Sequence, residues 1–246
     1  MTLIADNLER IRGRIAGAAR KVGRRTQEIT LVAISKTHPA DRIREAYELG
    51  VRHFGENRIQ EWESKKNLLA DLNATWHMVG HLQSNKAARA VRLFQRIDSV
   101  DGSSLVQRLD REQNNQQLEG GDPGGSRASA GMDRMPVLIE VKLDAKSAKS
   151  GVSCEDLESL AKQIMDLSHL ELMGIMTVPP YFHEPEYARS YFRRLRELRD
   201  SLRGQFGAES FPVLSMGMSH DFEIAIEEGA TEIRVGTALF GERPRA

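Results

Sequence analysis

Eight short runs of aliphatic and β-branched residues alternate along this chain with segments of helical periodicity, and that alternation limits the fold more than any other feature. The runs are residues 30–34, 51–55, 75–80, 96–100, 137–141, 170–178, 212–214 and 232–235. Helical segments are predicted through Ala46 to Leu49, over 59–69, from about Asn85, through Leu105 and Leu109, and over 154–167, 184–203 and 219–228. A strand that waits for a helix before the next strand pairs in parallel, because a parallel connection needs a crossover. Eight such units predict a closed (β/α)8 barrel, the TIM-barrel class of α/β folds, rather than an open sheet. The length of 246 residues suits one barrel, so residues 1–246 are predicted to form a single domain. Ahead of the first strand, Leu8, Ile11, Ile15, Ala18 and Val22 recur at spacings of three and four, the stripe of an extra N-terminal helix. It is predicted to cover the barrel position that the last strand leaves without a following helix.

One stretch breaks the rhythm. Residues 113–134 hold Gly120, Gly121, Asp122, Pro123, Gly124, Gly125 and Ser126 and almost no large apolar side chain, which predicts a flexible Gly-rich insert outside the core. Entering the fifth strand from its N-terminal side, the insert is placed on the face opposite the mouth where barrel enzymes work. It lacks the Gly-Lys-Ser/Thr ending of a phosphate loop.

Charge decides between classes of partner. Lys plus Arg and Asp plus Glu are 35 each, for a net charge of +0, so no global field draws the chain to nucleic acid or to a membrane surface. The one cysteine, Cys154, can form neither an intrachain disulfide nor a thiolate metal site, and no window approaches the roughly 18 apolar residues of a membrane span. With no signal peptide legible, a cytoplasmic protein is expected.

In a parallel barrel, function sits on the loops after the strands. Those loops carry Ser35-Lys36-Thr37-His38, Gly55-Glu56-Asn57-Arg58, the segment from Gly80 and His81 to Lys86, Met176-Thr177, the segment from Ser215 to His220, and Arg234-Val235-Gly236-Thr237. Small residues after the seventh and eighth strands let backbone N–H groups approach an anion, and a helix starting after Ser219 would add its positive end. Ordinary turn and cap residues are the plainer reading of either loop alone; two on adjacent strands favour phosphate. Lys36 ends an apolar strand, where partial burial favours a neutral amine able to attack a carbonyl, while Lys86 and Lys142 compete for that role. Arg234 is either a fixed cation facing the mouth or half of an ion pair. His77 and His81 stand four apart, but Gly80 breaks any helical face between them, so no metal site is expected. Hydrolase, nicotinamide and redox fingerprints are missing.

These segments resemble the pyridoxal-phosphate homeostasis proteins: residues 31–37, 54–57, 76–86, 215–219 and 234–241 carry the likeness, which runs from about Asp6 to Gly241. The resemblance implies a barrel like the N-terminal domain of alanine racemase, with pyridoxal 5′-phosphate (PLP) held as an imine on Lys36. It places Asn57 and Met176 near the cofactor ring, Arg234 opposite the pyridine nitrogen, and Ser219, Gly236 and Thr237 around the phosphate. It further implies a carrier or regulator of PLP and vitamin B6 pools without catalytic turnover, a monomer, whose partners are PLP and apo-enzymes that accept it. The competing expectation is a PLP-dependent amino-acid racemase; after Gly241 only residues 242–246 remain, too few for the second domain that supplies a racemase with its opposing acid/base group. An interaction protein using the Arg-rich helix over 184–203, with Lys36 dispensable, is the third.

Overall fold

The computed structural model describes residues 2–119, 134–144 and 150–242. Within them β1 (Thr30–Ile34), β2 (His53–Glu56), β3 (Thr75–Met78), β4 (Arg96–Val100), β5 (Met135–Glu140), β6 (Leu170–Met176), β7 (Val213–Ser215) and β8 (Glu232–Val235) pair in sequence order and close into a barrel. Every pairing is parallel, and the closure sets Thr30 beside Glu232 and Val32 beside Arg234. The surrounding helices are α1 (Leu3–Lys21), α2 (Ala40–Glu48), α3 (Ile59–Lys66), α4 (Ala87–Leu93), α5 (Ser103–Glu119), α6 (Leu157–Met165), α7 (Arg189–Phe206), α8 (Phe222–Glu227) and α9 (Thr237–Phe240).

Strand alternation builds two cores. Outward positions such as Ala33, Phe54, Trp76, Ile97, Ile139, Ile175, Leu214 and Ile233 are buried against the helices. Trp62 of α3 stacks on Trp76 with ring centroids 3.9 Å apart. The inward positions are unusual, because barrel interiors are normally layered with branched aliphatic side chains. Here His53, His77, Arg96, Asp98, Ser215, Glu232 and Arg234 turn inward. His53 Nδ1 lies 3.0 Å from His77 Nε2, His77 Nδ1 lies 3.2 Å from Asp98, and Arg96 bonds both Asp98 and Glu232. Arg96 sits between the two carboxylates and offsets their charge where little water reaches, as burial demands, while one oxygen of Glu232 is left without a partner among the described residues.

Two expectations are corrected, and one element was not expected at all. Residues 113–119 are not loop: α5 continues to Glu119, and Gln113 is buried on the stripe of Leu105 and Leu109. Glutamine is a good helix former, and a composition rich in Gln and Asn hid that continuation. The rest of the Gly-rich insert, 120–133, lies outside the described residues, as do 145–149. Second, α8 starts at Phe222 rather than Ser219, because Asp221 accepts the Met218 N–H at 2.6 Å and closes a turn in front of it. The short α9 had no signal, being four residues long.

The N-terminal helix packs through its predicted stripe up to Ala18, whereas Val22 lies just past its end and is exposed. Ile4, Leu8, Ile11, Ile15 and Ala18 are buried, and α1 packs against α8, α9 and α2. Asn7 Nδ2 donates to the Leu239 carbonyl at 2.9 Å, and Arg14 pairs with Glu223 while lying 4.3 Å from the Phe222 ring centroid. The gap after β8 is thereby filled.

Candidate functional site

The mouth is built from the C-terminal ends of the strands and the loops beyond them. Lys36 is half-buried in the turn after β1, and Thr37 beside it adopts φ 68°. That left-handed conformation is costly for a β-branched residue. Glu61 accepts the Thr37 N–H, and His38 stacks on Phe240 of α9 with centroids 4.8 Å apart. The Lys36 turn is thus tied to the turn after β8.

Asn57 comes directly after β2 and is half-buried. Its backbone is held by a close approach: a Cβ on Gly80 would stand 2.3 Å from the Asn57 carbonyl oxygen, so only glycine fits after β3. Met176 closes β6 and is fully buried. Arg234, on β8, makes no ion pair among the described residues. Its Nη1 donates to Ser215 Oγ at 2.6 Å and its Nη2 to the Thr177 carbonyl at 2.7 Å. Burial draws its guanidinium below its ordinary value, with Glu232, Asp98, Glu140 and Asp221 acting against the shift. A guanidinium starts high enough to remain a cation at neutral pH.

Ser219 does not cap α8. Its hydroxyl instead accepts from Gly236 N–H at 3.3 Å and Ala238 N–H at 3.2 Å, so two backbone donors of the turn after β8 converge on one oxygen. A Cβ on Gly236 would sit 3.3 Å from the Ile34 carbonyl oxygen, a tight contact that brings the turn close to the end of β1. Thr237 stands exposed at its rim. Two amides converging beside a hydroxyl make a turn suited to an anion with several oxygens.

The closure order brings all seven predicted residues onto one arc. Met176, Ser219, Arg234 with Gly236 and Thr237, Lys36, and Asn57 belong to β6, β7, β8, β1 and β2 or the loops after them, which are consecutive neighbours. This also separates the three lysines. Lys36 comes after the strand that pairs with β8, whereas Lys86 and Lys142 come after β3 and β5 on the flanks.

Several side chains at the site had no assigned role in the sequence. Thr177 and Ser215 anchor Arg234. Glu140 ends β5 in a small cleft with Lys142, Thr177 and Tyr191; burial pushes its carboxyl up, and Ser150 donates to it at 3.1 Å. Glu56 and Lys65 are buried behind the Lys36 turn. Charged residues at alternate positions of apolar strands, 96 and 98 or 232 and 234, were the available signal for the polar interior. There, His77, Asp98 and Glu232 offer ligand atoms within 4.8 Å of one another. Arg96 already bonds both carboxylates, supplying the positive charge that a metal ion would bring.

The closed parallel barrel is of the class described as "Alanine racemase, N-terminal domain", whose family model matches residues 7–244. A pyridoxal phosphate homeostasis protein of Aquifex aeolicus (strain VF5) is 41% identical over 238 residues, 97% of each chain. The structure of PipY of Synechococcus elongatus PCC7942 with PLP bound is 36% identical, with a TM-score of 0.79, covering 97% of this chain and 100% of that one. Alanine racemase of Clostridium difficile 630, at 13% identity and a TM-score of 0.68 over 98% of this chain and 58% of that one, shares the fold. The chain belongs to the pyridoxal phosphate homeostasis proteins, within the family of the alanine racemase N-terminal domain. No helix among the described residues is long and apolar enough to cross a membrane.

Proposed function

We propose that this barrel, taken as one domain over 1–246, binds pyridoxal 5′-phosphate at its mouth and serves intracellular vitamin B6 homeostasis by holding and releasing the cofactor to apo-enzymes, as a monomer and without turnover of its own. The carrying observation is the adjacency of β8 and β1, which puts Lys36 next to the turn where Gly236 and Ala238 N–H groups converge. The residues fit the group. The turn with Ser219 and Thr237 would take the phosphate, Lys36 the aldehyde carbon, Asn57 and Met176 the ring, and Arg234 the pyridine nitrogen. Bound there, the cofactor supplies an aldehyde that amines capture reversibly. Arg234 would disfavour a proton on the ring nitrogen, because one cation disfavours a second nearby, and an unprotonated ring would be a poor sink for electrons. That supports holding over catalysis.

The test is to mix the purified protein with PLP, reduce with borohydride and map the modified peptide. Cofactor fixed to Lys36, and lost in Lys36→Ala, supports the reading; cofactor on Lys86 or Lys142 in the unaltered protein overturns the assignment. Racemisation of amino acids by the loaded protein at rates above free PLP would overturn the non-catalytic part.

A further inference from the structure

The turn that carries Lys36 is clamped from behind. Lys65, on α3 and 7% exposed, sends its ammonium to the Ser35 carbonyl at 3.2 Å and the His38 carbonyl at 3.3 Å, one on each side of Lys36 and Thr37. The same ammonium bonds Glu56 Oε1 at 2.8 Å and Glu61 Oε1 at 2.9 Å. Both carboxylates act on that turn as well. Glu56 accepts the Ser35 hydroxyl at 2.7 Å, and Glu61 accepts the Thr37 N–H.

An ammonium has three protons, and here it is shared among four acceptors in a place that water barely reaches. If it served only to seat α3 on the barrel, apolar packing would do so without the cost of burying a charge. What apolar packing cannot do is hold two carbonyls of a tight turn in fixed directions. A left-handed Thr37 persists only where its surroundings over-determine it, and these four bonds with the Glu61 contact are those surroundings.

Resting on the reading that Lys36 takes the cofactor, we propose that Lys65 is a positioning residue: with Glu56 and Glu61 it fixes the Ser35–His38 backbone from which Lys36 extends, and thereby decides which lysine of the mouth holds PLP and how tightly. Lys65 itself does not touch the cofactor. The clamp also ties α3, on the outer surface, to occupancy of the mouth.

The test uses the full chain as the unaltered protein, Lys65→Met, Glu61→Gln and Lys65→Arg, each checked for folding by circular dichroism without cofactor. PLP affinity, the pH midpoint of the bound-cofactor absorption band and the borohydride-fixed peptide are then measured. The expected result is binding weakened by about tenfold or more in Lys65→Met and Glu61→Gln, the scale of losing a supporting shell. The pH midpoint should move and the label should spread from Lys36 to Lys86 or Lys142, with Lys65→Arg partly restoring all three readouts. Should Lys65→Met not fold, Glu61→Gln decides alone, since it leaves Lys65 bonded to Glu56. Unaltered affinity, midpoint and labelling in a folded Lys65→Met or Glu61→Gln overturns the inference. A label absent from Lys36 in the unaltered protein overturns the underlying reading, and is told apart because it needs no variant.

Discussion

Arg234 donates to the hydroxyl of Ser215 at 2.6 Å, from a strand position where a barrel ordinarily carries a branched aliphatic side chain. With the Thr177 carbonyl as its second acceptor, the guanidinium joins β6, β7 and β8 below the mouth. Replacing it by methionine strands those acceptors and leaves Asp98 and Glu232 with Arg96 as their main counter-charge. Arg234→Met is expected to lower the unfolding free energy by about 2–4 kcal/mol. Urea denaturation of the cofactor-free protein measures this.

His53 links the polar interior to pH. Burial, then the neighbouring His77, holds its imidazole below the ordinary value of about 6.5. A depressed histidine contributes stability that is fully present above the unfolded value and is lost as pH falls through the folded one. Glu56, Glu140 and Asp221, raised by burial, have the opposite sign: their contribution is present below their unfolded values and lost as pH rises through their folded ones. His53→Gln isolates the histidine contribution. The urea midpoint of the unaltered protein should drop more between pH 7 and the folded His53 value than that of His53→Gln; equal drops would refute the assignment.

Leu8 anchors the N-terminal helix, with 1% of its surface exposed. Leu8→Ala is expected to cost about 2–4 kcal/mol, as other buried leucine truncations do. Deletion of residues 1–23 should depress the melting temperature further, because it uncovers the faces of α8 and α9 that α1 protects.

Gly80 is expected to report on Asn57. A Cβ at position 80 meets the Asn57 carbonyl oxygen at 2.3 Å and its Cα at 2.8 Å, so Gly80→Ala must push Asn57 from its place. PLP titration should show weaker binding for Gly80→Ala, whereas Gly102→Ala, with open space around it, should bind as the unaltered protein does.

Legibility in the sequence tracked the range of the interaction involved. β1, β4 and β8 have the predicted limits, because their runs are compact and bounded by polar residues. Strands β3 and β6 end earlier than their apolar runs: Val79 and Val178 remain apolar after the chain has left the sheet for the mouth. Lys36 stood out by position, yet spacing alone left Lys86 and Lys142 equal to it, and the roles of Asn57 and Met176 came through family resemblance. Lys65 carried no signal of its own in the sequence. Glu61 is an ordinary i,i+4 helix partner, but the burial of Lys65 arises with three acceptors 9 to 30 residues away, which no local pattern encodes.

By itself, the sequence determined the number and order of the strands, the helix that precedes them and the residues offered at the mouth, because hydrophobic period and turn chemistry act within a few residues. The tertiary structure decided what depended on closure. It set β8 against β1, so that Lys36 met the Gly236 turn; it put Ser219 on that turn rather than on α8; and it folded Arg96, Asp98, Glu232 and Lys65 into buried places beside groups of opposite charge. Closing a sheet turns distant residues into neighbours, and burial then makes the pairing of each polar group obligatory.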